Sequence, residues 1–373
     1  MVHALLAGLC GCGDKGATPP PAQTCADSAI GKSAKTGGDG RCPGQCRPLE
    51  DAFCAASAPA GCPPVAASRP GAQVDICGVP LTPPAELKEA QRSANVDEYA
   101  GTGPVDLSCY EPGGYPPVPD PSSSQKVALK GIAKVFSNGC QSNGVEMEMY
   151  RVKRTGGADD GEPGALAGSC PKTDADCQVG GVKSSDIVKT CEERWECRYS
   201  CTDVPTETEL LIKTFGEQWA PLYEYGVFIP NAEVKGGEWE HDVRALANDD
   251  YTVIPQVAFG GKITPGNGAV GGEVHDCGNV RVMNAFVDVD ADRTILTYFN
   301  EDENKPLPDK TRRATSALAL YSAMDIPSGP ITVAAAGLVG GELRALGFFR
   351  ARVFGNSITS VTFRGLKPFQ VPK

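Results

Sequence analysis

The chain states one pattern twice. Tyr199-Ser-Cys-Thr-Asp203-Val204-Pro205-Thr206 is echoed by Tyr321-Ser-Ala-Met-Asp325-Ile326-Pro327-Ser328. Each is followed by an alternating strand (TELLIKT; GPITVAA), a glycine (Gly216; Gly337) and an aromatic-aliphatic strand (PLYEYGVFI; LRALGFFRARVF). Each is preceded by a glycine-led strand (Gly131-Ile-Ala-Lys-Val; Gly272-Glu-Val-His-Asp), then by apolar–acidic alternation (Val145-Glu-Met-Glu; Val287-Asp-Val-Asp). Those last two features lie 14 residues apart in one copy and 15 in the other. Self-similarity of this kind marks a structural unit used twice, and the period-two patterning makes that unit β.

The remaining segments fit around the two copies. VALKGIAKVF (127–136), GVEMEMYRV (144–152) and WECRYSC (195–201) all alternate, the last with Trp195, Cys197, Tyr199 and Cys201 on one face. Two helices are predicted: PPAELKEAQRSANVDEYA (83–100), and GGEWEHDVRALANDD (236–250), where Trp239, Val243 and Leu246 form an i, i+4, i+7 stripe. With 44 glycines and 31 prolines, short strands are favoured over long helices. The expected order is a signal remnant and tether (1–24), a cysteine-rich N-terminal segment (25–110), and a Pro/Ser linker (111–125). A first β-unit with a cysteine-rich insertion (126–234), a helical connector (235–267) and a second β-unit (268–373) follow.

A Gly-x-Val opening strand, an alternating Val-rich strand and Asp-Ile-Pro-Ser-Gly-Pro-Ile-Thr-Val together resemble the carboxypeptidase regulatory-like, or transthyretin-like, β-sandwich family. The resemblance covers roughly 126–234 and 268–373 and is better in the second copy. It implies a mainly β fold of two tandem Ig-like/transthyretin-like sandwiches joined by a short helix. It is nearly silent on activity, since that fold serves as a structural or binding module on many unrelated proteins.

Sixteen cysteines point to disulfides in an oxidising compartment. Leu9-Cys10-Gly11-Cys12, after a short apolar run and before GDKGATPPPAQ, resembles the lipobox of bacterial lipoproteins, with Cys12 as the acylated residue. No Lys or Arg precedes the run, a departure from that pattern. The expected location is the cell surface or outer membrane after export, with membrane contact through the lipid alone. The disulfide candidates are Cys25, Cys42, Cys46, Cys54, Cys62, Cys77 and Cys109 in the N-terminal segment. Cys140, Cys170, Cys177, Cys191, Cys197 and Cys201 belong to the first unit, and Cys277 to the second. Seven and one are odd, so one bridge between the N-terminal set and Cys277 would balance the count.

The adjacent residues His275-Asp276-Cys277 fall on the first strand of the second copy and its outgoing turn. Matching Val274 to the inward Ala133 turns His275 outward, as a solvated residue. The functional alternative is a metal held by Glu273, His275 and His241 or Asp242, ligand types that zinc accepts. Asp288-Val-Asp290-Ala-Asp292 starts like a calcium loop, but Arg293 and Phe299 stand where glycine and glutamate are required. Surface Ca²⁺ there is the one cofactor entertained.

No Ser-His-Asp, Gly-x-Ser-x-Gly, His-Glu-x-x-His, P-loop or Rossmann pattern occurs. A net charge of −11 disfavours a nucleic-acid partner, and no apolar run is long enough to span a membrane as a helix. The expected role is structural or adhesive, binding a surface protein or polysaccharide. The alternative is an envelope enzyme or accessory subunit using a metal near His241 and His275.

Overall fold

The computed structural model describes residues 74–76, 79–111, 113–136, 142–155, 159–171, 178–179, 182–183 and 197–370. Cys12 and the disulfide candidates Cys25, Cys42, Cys46, Cys54, Cys62, Cys77, Cys140, Cys177 and Cys191 lie outside the described residues. Within them the fold is mainly β, with several sheets, none closed, and one α-helix.

In the first half, β1 (Lys126–Val135), β2 (Glu146–Val152), β3 (Cys197–Pro205), β4 (Glu209–Phe215) and β5 (Leu222–Phe228) form two sets. β1 pairs antiparallel with β3, while β2 pairs with β4 and β4 with β5. As the alternation predicts, Cys197, Tyr199 and Cys201 are buried and Arg198 is exposed. Short strand Glu238–Glu240 and then β6 (Val243–Ala247) run parallel to β1. Helix α1 (Asn248–Phe259) follows, with Asp249 and Asp250 in its first turn and left-handed Gly260 at its end.

The second half repeats these pairings. Its strands are β7 (Asn267–His275), β8 (Phe286–Val289), β9 (Ile295–Phe299), β10 (Leu320–Pro327), β11 (Gly329–Val339), β12 (Glu342–Val353) and β13 (Ile358–Ser360). β7 pairs with β10, β8 with β11 and β11 with β12. β13 and then Phe363–Arg364 run parallel to β7, as the broken strand 238–247 does to β1.

The residues that spell the sequence repeat do the same work in both halves. Tyr199 donates its hydroxyl hydrogen bond to the carbonyl of His241 at 2.7 Å, and Tyr321 donates to that of Val361 at 2.5 Å. Both carbonyls belong to the break in the parallel strand. Gly131 and Gly272 lie against these same two oxygens, where a Cβ would collide. Asp203 and Asp325 both have left-handed backbones (φ 58° and 61°), each at the register shift of its strand pair. The apolar residues beside them, Val204 and Ile326, are fully buried.

The halves are not two bodies separated by a helix. β13 pairs with β5 on one side and β7 on the other, which fuses β2, β4 and β5 with β7, β9 and β10 into one ten-stranded sheet. Both faces of that sheet are covered. Leu210 and Ile212 pack towards Leu129 and Val204, while Leu211 between them joins the core of Phe348 and Phe349. On β10, Tyr321 and Ala323 enter that second core, and Leu320 and Met324 face α1 through Ile254 and Ala258.

Two expectations need correction. Residues 236–250 do not form a helix: Val243, Ala245 and Leu246 are buried on strand β6, because pairing with β1 outweighs the helical stripe. The helix starts only at Asn248, so what sequence reading takes as connector is largely the last, broken strand of the first half. Residues 83–100 are not helical either. Ala90 donates to the Leu338 carbonyl, and Gln91–Arg92 pairs with the short strand Val282–Met283. The segment also has more core than its composition suggests, since Val79, Leu81, Ala90 and Val105 all pack into the second half.

Candidate functional site

Where β5, β13, β7 and β10 lie side by side, residues in register share a row on one sheet face. Leu222, Ile358, Ala269 and Met324 make an apolar row. Two residues along, Glu224, Ser360, Gly271 and Ser322 make a polar one. These rows floor a cavity of about 360 Å³. Phe136, Leu246, Ile254, Phe299 and Leu318 close the apolar end, and Asp97 and Asn304 are exposed at the rim. Gly271 adds no side chain to the middle of the polar row, and a Cβ there would lie 3.2 Å from the Tyr321 carbonyl oxygen.

The polar end is a chain of charges. Lys134 bridges Glu98 and Asp242, and Arg244 lies 3.2 Å from Glu98 and 3.8 Å from Glu273. Arg281 reaches Glu273 at 3.0 Å and Glu303 at 3.3 Å. Burial alone would raise the Glu273 carboxyl. The hydrogen bond and charge of His275, with Arg281 and Arg244, overcome burial and hold it well below the carboxylate range. Glu224 is likewise held low: burial opposes its ionisation, but His241 and then Arg364 and Arg244 favour it. Carboxyls kept ionised in this way suit the binding of donors better than general-acid chemistry.

His275, expected in solvent, is fully buried. Its Nε2 lies 2.7 Å from Glu273 Oε2, its Nδ1 2.8 Å from Asn279 Oδ1, and its ring 4.8 Å from that of Tyr99. Alternation is obeyed, but both faces of β7 are covered, so facing away from Val274 does not mean facing water. Asp276 is also buried. It accepts hydrogen bonds from Arg92 Nε at 2.6 Å and from the backbone amides of Asp106, Gly278 and Val280. Cys277 is disulfide-bonded to Cys109, and Cys170 to Cys201; Cys197 is also disulfide-bonded. The His-Asp-Cys run is thus an anchor for the N-terminal segment.

His241 sits 3.0 Å from Glu224 Oε1 and stacks on Trp239. Each histidine stands behind a different cavity glutamate, and neither lines the cavity. Among the described residues no three His, Cys, Asp or Glu side chains are grouped to hold a metal. The acidic run does not make a calcium loop. Asp288 is buried against Arg293 at 2.7 Å, Asp290 accepts from the Thr332 amide, and Asp292 is exposed. Burial raises the Asp288 carboxyl despite Arg293.

Sequence reading missed Glu224, Glu98, Arg244 and Arg364. One signal was available for the first: Glu224 interrupts the apolar strand LYEYGVF.

No known protein family, curated protein or solved structure matches this chain.

Proposed function

We propose that the chain is an exported binding protein that takes a small amphipathic molecule into the cavity between its two halves. The observation that carries this reading is the two-row floor, apolar from Leu222 to Met324 and polar from Glu224 to Ser322, inside a volume of about 360 Å³. Pockets of this size with a few convergent polar groups are the usual form of small-molecule sites. In this reading the protein is a lipoprotein anchored through Cys12, and its halves are tandem transthyretin-like sandwiches merged along one sheet. The matched roles of Tyr199 and Tyr321, and of Asp203 and Asp325, support the duplication. Binding at the junction replaces binding through peripheral loops as the favoured mode.

Titration with anilinonaphthalene sulfonate tests the cavity. One equivalent of dye is expected to bind, and Ser360→Trp, which fills the polar row, is expected to abolish its fluorescence. Undiminished dye binding by a folded Ser360→Trp protein would overturn the assignment. Membrane fractionation of Cys12→Ser tests the anchor: release into the soluble fraction is expected, and retention would refute it.

A further inference from the structure

The two halves contribute equivalent arginines to the cavity. Arg244 pairs in register with Lys134 on β1, and Arg364 with His275 on β7, at matching positions of the broken parallel strand. Their surroundings differ. Arg244 is met by Glu98 and Glu273. Arg364 has no carboxylate at ion-pair distance among the described residues, its Nε is buried without a hydrogen-bond partner, and its guanidinium lies 5.2 Å from the centre of the Tyr99 ring. Across the same cavity, Glu224 gives Oε1 to His241, but its Oε2 is buried and unpartnered. Among the described residues that line the cavity, these are the two buried side-chain atoms without a hydrogen-bond partner, one a donor and one an acceptor.

We propose that the cavity binds a small zwitterion, its ammonium group held by Glu224 and its carboxylate by Arg364, with an apolar side group along the Leu222–Met324 row. Hydrophobic amino acids are the simplest members of this class. The inference rests on the binding reading above and names its ligand chemistry.

Other head groups fit less well. A lone carboxylate, as in a fatty acid, would satisfy Arg364 but leave Glu224 Oε2 unmatched and bring like charges together. A lone amine would reverse the fault. A neutral polyol would supply hydrogen bonds without opposite charge, where buried ionic groups gain most from it. The space, about 360 Å³, is of the size usual for small-molecule sites.

Calorimetric titration of the full chain with L-phenylalanine, 3-phenylpropionate and 2-phenylethylamine tests the head group. Phenylalanine is expected to bind, and each single-headed analogue to bind at least about tenfold more weakly, the loss of one charge-assisted contact. Glu224→Gln is expected to erase the preference over phenylpropionate, and Arg364→Met the preference over phenylethylamine. If a variant fails to fold, the analogue series on the native chain still decides. Either analogue binding as tightly as phenylalanine, or stoichiometric dye binding with no response to phenylalanine, would overturn the zwitterion while leaving the binding reading intact. Failure of both dye and amino acid to bind would overturn both.

Discussion

The two halves place equivalent arginines in unequal surroundings. At the position of Arg244, two carboxylates satisfy the guanidinium; at that of Arg364 none does among the described residues. The opening strands differ too. Glu273, buried against Arg244, Arg281 and His275, stands where the first half has the half-buried Ile132. Ile132 donates its amide to Asp242 at 2.9 Å, and Glu273 donates its amide to Thr362 Oγ1 at 3.4 Å, so backbone architecture is kept while side-chain chemistry diverges. Shared residues such as Tyr199 and Tyr321 serve the fold. Differences concentrate where the halves meet the cavity, and there the function is sought.

The disulfides should separate the halves most. Cys109–Cys277 spans 168 residues of sequence and Cys170–Cys201 spans 31. On chain entropy alone, removing them should cost about 5 and about 4 kcal/mol respectively. Denaturant melts of Cys109→Ser and Cys170→Ser give the comparison. A smaller loss for Cys109→Ser would mean that the N-terminal segment is held by its packing and by Arg92–Asp276, and not by the bridge.

Next comes the buried charge. Glu273→Ala should cost about 3–5 kcal/mol, because it strands Arg281 and His275, while Ile132→Ala should cost less. A carboxyl held below its unfolded value stabilises the protein above that value and loses the contribution as pH falls towards its folded one. Native stability should therefore drop more steeply below about pH 4.5 than that of Glu273→Gln. Parallel acid profiles would show that the cluster carries no net stabilisation.

Smallest and most diagnostic is the tyrosine pair. Tyr199→Phe and Tyr321→Phe each leave a strand-break carbonyl without its donor, at about 1–3 kcal/mol. Equal losses in thermal melts are expected; a loss confined to one half would break the structural equivalence.

How much of this was legible follows from the range over which each signal acts. Alternation and the repeated Tyr, Gly and Asp-x-Pro residues fixed the main strands and their recurrence, because side-chain direction along a strand and a left-handed aspartate are local properties. Cysteine parity pointed to a link between the N-terminal set and Cys277. Local patterning also misled: residues 83–100 and most of 236–250 carry helical spacing yet pair as extended segments, since their partners Leu338 and β1 lie far away in sequence. The burial of His275 depends on Tyr99 arriving from another segment to cover a face that alternation assigns to solvent.

The cavity was the least legible feature of all. Its floor takes adjacent residues from strands at 222–228, 267–275, 320–327 and 358–360, and no sequence spacing sets Glu224 beside Ser360 or near Arg364. The sequence by itself determined a duplicated β unit and the residues that hold each copy together. Only the tertiary structure decided that the copies merge through β13, and hence which charged side chains meet one another, because lateral strand order is set by the packing of both faces at once.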